Sequence, residues 1–270
     1  MALMRAGGRA WAAFALAARR AGDAAAVDPR LVLERELGLM SFGALADAAS
    51  EVDGWRRRGY RILTLTDPDY PANLRVVEGR PPLLFALGAL ERAELSNAVS
   101  VIGTRAPSAA GATLAAEVAL AVARAGRTVV SGLALGIDTA AHTAALTARR
   151  RTVAVLGHGL DHVYPPANTE LASAIAASGA LISQCWPEAG PTRQSFPARN
   201  ALMAGLTVAT VIVEAGERSG AQIQARHVIA QGRRLVVMRP VLARAWARTL
   251  VERSGGLVAD TPDAVIDLLR

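Results

Sequence analysis

The sequence has no lysine: all 30 of its basic residues are arginine. That excludes a P-loop lysine, a Schiff-base lysine and a Ser–Lys dyad. It has a single cysteine, Cys185. A disulfide framework and a cysteine-based zinc site within one chain are excluded, and a cytoplasmic location is expected. Aromatic residues are only 4% of the chain. Apolar residues reach 52%, but alanine supplies much of that. No window reaches the roughly 18 consecutive large apolar residues of a membrane span, so no membrane partner is expected. The N-terminal MALMRAGGRAWAAFALAARR sets Arg5 and Arg9 before an apolar run, as a secretion signal does, but Arg19 and Arg20 follow at once. A helix of a small N-terminal domain is the better reading.

What is present is positive charge, +7 net, with 23 acidic residues interspersed. The balance suits an anionic partner, nucleic acid above all, without histone-like density. Residues 1–58 read as short helices. Leu31, Leu33, Leu37, Leu45 and Val52 fall at helical spacing, broken by Gly38, Gly43 and Gly54. RILTL and PPLLFALG then read as strands around a DPDYP turn. From residue 98 the pattern is strand, loop, helix, repeated. AVSVIG, RTVVSG, RTVAVLGHG, GALIS, TVATVIVEAG and RRLVVM are apolar runs with alanine-rich stretches between them. Near-continuous apolar strands are buried on both faces, which predicts a doubly wound, largely parallel α/β sheet. In GGLVADTPDAVIDLLR the spacing predicts one more strand and a helix capped by Asp260 or Thr261, with Pro262 in its first turn.

In such a sheet ligands bind outside the carboxyl ends of the strands. The segments following the apolar runs include GTRAPSAAG, SGLALGIDTAAH, GHGLDHVYPPAN, WPEAGPTRQSFPARN and EAGERSGAQ. Glycine lets the backbone approach a ligand, Ser and Thr add hydroxyls, and the next helix start offers unpaired N–H groups. Arg105 adds a bidentate phosphate donor beside Thr104 and Ser108, and Ser219 and Gly220 open a helix. Any one loop is more simply a tight turn with a cap. Several at one sheet edge point to an anionic ligand. The G-x-G-x-x-G fingerprint is missing after Gly103, no acid closes the second strand at Ser131, and no Walker A motif exists. No cofactor and no metal are expected.

Ser131, Asp138 and His142 lie close in sequence, and a hydrolytic triad needs such groups. No G-x-S-x-G elbow accompanies them. Asp138 reads as a helix-start cap or first-turn acid, and His142 as structural, so no catalytic residue is assigned. In WPEAGPTRQSFPARN, Phe196 and Arg199 could stack a base and meet a backbone phosphate. The alternative for Phe196, and the preferred reading for Trp186, is a ring filling the core under a loop.

The ordered segments LTDPDYPANLR, PPLLFALG, VIGTRAPS, SGLALGID..AH, TVAVLGHGLDHVYPPAN, FPARN and VIVEAGERSGA resemble the DNA-processing protein A family, DprA or Smf. The resemblance covers about residues 60–240. It implies an extended Rossmann-like domain over 59–270 after a small helical, SAM-like domain over 1–58. It implies a non-enzymatic binder of single-stranded DNA, a homodimer that helps load a RecA-type recombinase in DNA uptake, transformation or recombination. The residues it carries over are Gly103, Thr104, Arg105, Ser131, Gly132, Gly136, Asp138, Asn168, Phe196, Arg199, Asn200, Ser219 and Gly220. The family usually has a second Arg at Ala201 and a Thr at Gln224. With the sequence ending at 270, a divergent member without the family's C-terminal winged helix is expected. The rival readings are a nucleotide-binding sensor and a nucleoside-monophosphate phosphoribohydrolase-like enzyme working through Glu214.

Overall fold

A computed structural model describes residues 42–270 except 218. Of the helical domain expected over 1–58, residues 1–41 lie outside the described residues, and so does the segment weighed as a secretion signal. The chain divides into two compact units, Met1–Pro68 and Asp69–Arg270. In the first, helix α1 (Phe42–Arg57) is followed by strand β1 (Arg61–Thr64). Trp55 is buried there, and its carbonyl accepts the N–H groups of Arg58 and Tyr60 as the helix ends.

The second unit alternates as its apolar runs predict. Its elements are α2 (Ala72–Arg75), β2 (Leu83–Gly88), α3 (Arg92–Ser96), β3 (Val99–Ile102), α4 (Ala109–Arg124), β4 (Val129–Ser131), α5 (Ile137–Thr147) and β5 (Thr152–Leu156). They continue with α6 (Thr169–Ser178), β6 (Ala180–Ser183), α7 (Ser195–Leu206), β7 (Ala209–Ile212), α8 (Gly220–Ala230), β8 (Arg234–Met238), α9 (Ala245–Ser254), β9 (Leu257–Ala259) and α10 (Pro262–Leu268). The strands lie in the order β2-β6-β5-β4-β3-β7-β8-β9. All pairings among them are parallel except β2 with β6.

The strands are apolar throughout because both faces are covered: every residue of β3, β5 and β7 is buried. Burying each Val or Ile of this kind contributes about 1.5–3 kcal/mol. In α4 the buried Ala115, Val118, Ala119 and Val122 recur at i, i+3, i+4 and i+7, the stripe a helix needs to lie on a sheet. Small alanines let α4 pack directly on α5. The one polar cross-pair at the centre, Ser100 with Thr210, is satisfied at 2.6 Å between β3 and β7. Local signals set the helix ends: the Ser108 hydroxyl accepts from Gly111, and Thr261 accepts from Ala264 with Pro262 at the first helical position. Among the described residues no helix is long and apolar enough to cross a membrane.

His142 is fully buried in α5, with its Nδ1 2.8 Å from the Thr152 hydroxyl. That hydroxyl gives its only proton to the Val129 carbonyl at 2.7 Å, so Nδ1 carries the imidazole proton. Nε2 has no partner among the described residues. Burial first, then the positive charge of Arg199, pushes the imidazole down to about 3. The unfolded chain takes up this proton below the ordinary histidine value near 6.5, and the folded chain does not. Stability from this group is therefore complete above about pH 6.5 and falls by about 1.4 kcal/mol per unit as pH drops toward 3. Urea unfolding from pH 7 to pH 4 should show this dependence in the wild type and a shallower one in His142→Gln. Equal slopes would mean that the imidazole titrates freely in the folded state.

Candidate functional site

The order of strands reverses between β3 and β7. The chain goes from β3 outward through β4, β5 and β6 on one side, then resumes at β7 on the other. Loops leaving two such strands diverge and open a crevice at their carboxyl ends. A cavity of about 550 Å³ lies there. The β3 loop gives it Gly103, Thr104 and Arg105, and the β4 loop gives Ala134 and Asp138. The start of α7 gives Phe196, Arg199 and Asn200, and the start of α8 gives Ser219, Gly220 and Gln224.

Arg199 holds these pieces together. Its side chain is buried, only 6% exposed. Nη1 donates to the carbonyls of Gly132 at 2.5 Å and Val155 at 2.9 Å, and Nε donates to the Asn200 side chain at 3.0 Å. One guanidinium thereby fastens the loop after β4 and the end of β5 to α7. Gly132 leaves room for this guanidinium: a β-carbon would lie 2.1 Å from Nη1 and displace it. The counter-charge is Asp138, whose carboxylate accepts the N–H groups of Gly132 at 3.1 Å and Ala134 at 3.3 Å. Burial pushes the Asp138 carboxyl up, opposed by Arg199, and burial pulls the Arg199 guanidinium down, opposed by Asp138. Asp138 sits in the first turn of α5, yet it holds the loop ahead of the helix instead of capping it. Gly136 occupies the cap position at φ 81°, 2.5 Å short of the Thr104 carbonyl for any β-carbon.

Several residues expected to face a phosphate are engaged by the fold. The Ser131 hydroxyl donates to the Val101 carbonyl at 2.7 Å. Asn168 is buried and donates to the Leu133 carbonyl at 2.9 Å. The Ser108 N–H and hydroxyl both donate to Glu214, the latter at 2.8 Å. The Ser219 hydroxyl accepts from Ala221 at 3.2 Å as a cap. Asn200 is buried against Arg199, and Gly103 packs on the Glu214 carbonyl and Ile137. Ser131 and His142 have separate partners, so no nucleophile–base pair forms between them.

The residues that face outward are Arg105, Arg193, Phe196 and the exposed Gly220. The Arg105 guanidinium stands 5.5 Å from the centre of the Phe196 ring, and Tyr164, also exposed, lies 6.0 Å away on a tilted plane. FPARN is not an irregular loop. It forms the first turns of α7, where Pro197 costs no hydrogen bond, and the turn brings Phe196 above Arg199. Trp186 packs 5.8 Å from Phe85, in line with a ring under a loop. Gln224 is marked in the sequence only as a departure, standing where the resembled family usually has a threonine. It is 1% exposed, lines the cavity, and its Nε2 has no partner among the described residues. A buried amide donor of this kind is costly unless a ligand or water accepts from it.

Replacing Arg199 by Met should cost about 3 kcal/mol in urea unfolding, because Asp138 loses the charge that opposes its burial and two carbonyls lose their donor. Arg199→Lys should not restore it, lacking the planar fork. A loss under 1 kcal/mol would show that the loops hold together without this guanidinium.

The family model for DNA recombination-mediator protein A matches residues 61–263. Protein Smf of Synechocystis is 41% identical over 175 residues, which cover 64% of this chain and 44% of that protein. The chain spans between 44% and 60% of the length of the first curated relatives it matches. The X-ray structure of DprA from Streptococcus pneumoniae superposes with a TM-score of 0.77 at 27% identity, over 96% of this chain and 92% of that one. A DprA structure from Helicobacter pylori, described for its single-stranded DNA binding mode, has a TM-score of 0.69 at 27% identity, over 78% of this chain and 95% of that one. With a mostly parallel α/β sheet of the same build and a match over most of its length, the chain belongs to the DNA recombination-mediator protein A family.

Proposed function

We propose that this chain binds single-stranded DNA, without catalysis, at the carboxyl edge of its sheet. The observation that carries the reading is the mouth of the switch-point cavity. There the Phe196 ring stands beside the Arg105 guanidinium, with Arg193 on the same rim. An aromatic face stacks a base of any sequence, and guanidinium groups meet the phosphates on either side. The Gln224 amide at the cavity wall suits an acceptor oxygen on a phosphate or base. Glu214 is tied to Ser108, which argues against its serving as the acid or base of a phosphoribohydrolase. On this reading residues 59–270 form the DNA-binding domain, and the engaged residues Gly103, Thr104, Ser131, Gly132, Gly136, Asp138, Asn168 and Asn200 shape the site from behind. The biological setting proposed with it is a cytoplasmic homodimer that passes the strand to a RecA-type recombinase. The relative from Helicobacter pylori, described for its single-stranded DNA binding mode, supports the ligand class.

A salt titration on a dT20 strand tests this directly. Affinity should fall steeply with salt, and Arg105→Ala and Arg193→Ala should each lower the slope of log K against log salt by about 0.7. Phe196→Ala should weaken binding by about 1–3 kcal/mol. No binding at low salt, or charge variants equal to wild type, would refute the reading. Gln224→Leu separates ligand contact from folding. It should weaken binding while leaving thermal stability equal or higher, since an unpaired buried amide is removed.

A further inference from the structure

A second cavity, of about 410 Å³, lies at the opposite edge of the same sheet, where β3, β4 and β5 begin. Four arginines line it, Arg127, Arg149, Arg150 and Arg151, against one acid, Glu94. Two of the four form fixed walls. Arg127 donates to the Asn97 side chain and, at 2.8 Å, to the carbonyl of Leu269. Arg151 is paired with Glu94 and so answers the only negative charge. Arg149 and Arg150 are exposed, and neither has a carboxylate partner among the described residues.

The backbone supplies an independent observation. Three turns in this unit lead from a helix into the next parallel strand by the same path: a cap residue, one left-handed residue, then an arginine. After α4 the left-handed residue is Gly126 at φ 74°, and after α8 it is Gly232 at φ 65°. After α5 it is Arg149 at φ 55°. Glycine takes this conformation without strain, and a residue with a β-carbon does not. At this turn a guanidinium is carried where the backbone favours no side chain at all. Strain kept at an exposed position points to a use for the side chain. No aromatic residue lines this cavity, so it offers contacts to phosphate and none that stack a base.

We propose that this edge is a second phosphate-binding surface that holds the backbone of a nucleic-acid strand. One chain then takes one strand at each edge of its sheet. The identity of the polymer rests on the functional reading above; the site itself does not.

The test counts strands per chain, which is independent of oligomeric state. Fluorescent dT6 is titrated at low salt against the wild type, Arg149→Gly/Arg150→Ala, Arg105→Ala/Arg193→Ala, and the combination of all four substitutions. The expected numbers are two, one, one and none. Arg149→Gly relieves the left-handed turn, so the first variant should melt at or above the wild-type temperature while losing a strand. A merely structural Arg149 would lower it. An Arg149→Gly/Arg150→Ala variant that takes as many strands as the wild type overturns the proposal. A single wild-type strand lost only in Arg105→Ala/Arg193→Ala would sink this proposal and leave the first site standing. A strand lost only in Arg149→Gly/Arg150→Ala would do the reverse.

Discussion

The carboxyl edge of this sheet depends on one buried guanidinium. Arg199 is buried at the cavity wall, only 6% exposed, so most of its charge is met by the protein. Two carbonyls at the ends of β4 and β5 turn inward to accept from it. Asp138 supplies the opposing charge while it pins the amides of Gly132 and Ala134. A side chain at Gly132 would displace the guanidinium, which fills that space. Phe196 stands three residues earlier on the same helix, so its ring is fixed by the arginine that anchors the helix. Removing the tie loosens the loops and the ring together.

A second consequence concerns what the edge can offer a ligand. Glycine-rich loops ahead of helices suggest a cradle of backbone amides. Here the helix starts are largely closed by their own side chains. Ser108 accepts from Gly111 and gives its own N–H to Glu214, and Ser219 accepts from Ala221. The glycines at 103, 132 and 136 admit other loops rather than a ligand. What remains for recognition is side-chain chemistry: two exposed guanidinium groups, an aromatic ring and an orphan amide. That set suits a flexible polymer with separated phosphates and bases better than one compact phosphate.

The parallel sheet was legible because strands covered on both faces must be apolar along their whole length, and two helix starts were legible because Ser219 with Gly220 and Thr261 with Pro262 announce them; Ser108 reads toward a phosphate and caps α4 instead. The strand order was not legible. Crossover handedness is a general rule, but nothing local says that the chain returns past β3 to lay down β7, and the cavity exists only because it does. Arg199 was legible as important and not as buried, since arginine is mostly exposed and the partners that permit its burial come from residues 67 and 44 positions away. FPARN was legible as an aromatic–arginine pair and not as a first helical turn, although a first turn has no hydrogen bond for its proline to remove. Gln224 was hidden for a simpler reason: a polar residue in an alanine-rich helix reads as the solvent face until tertiary packing covers it.

The two edges also place charge in opposite ways, and helix polarity explains why. In a parallel sheet the helices start at the carboxyl edge of the strands and end at the amino edge. Helix starts carry partial positive charge and ends partial negative charge. At the carboxyl edge, arginines stand against helix starts, and acids offset them: Asp138 lies in the first turn of α5, and Glu214 accepts from the start of α4. At the amino edge, α4 and α5 run out toward Arg124, Arg127 and Arg149–Arg151, where the helix ends favour positive charge; Arg151 pairs with Glu94, and Arg149 and Arg150 have no acidic partner among the described residues. A chain of net charge +7 can therefore leave arginines unpaired at the amino edge at low energetic cost. At the carboxyl edge every exposed guanidinium stands against the helix field. Arg105 stays there by leaning on the Phe196 ring, and that contact sets the aromatic face and the charge side by side.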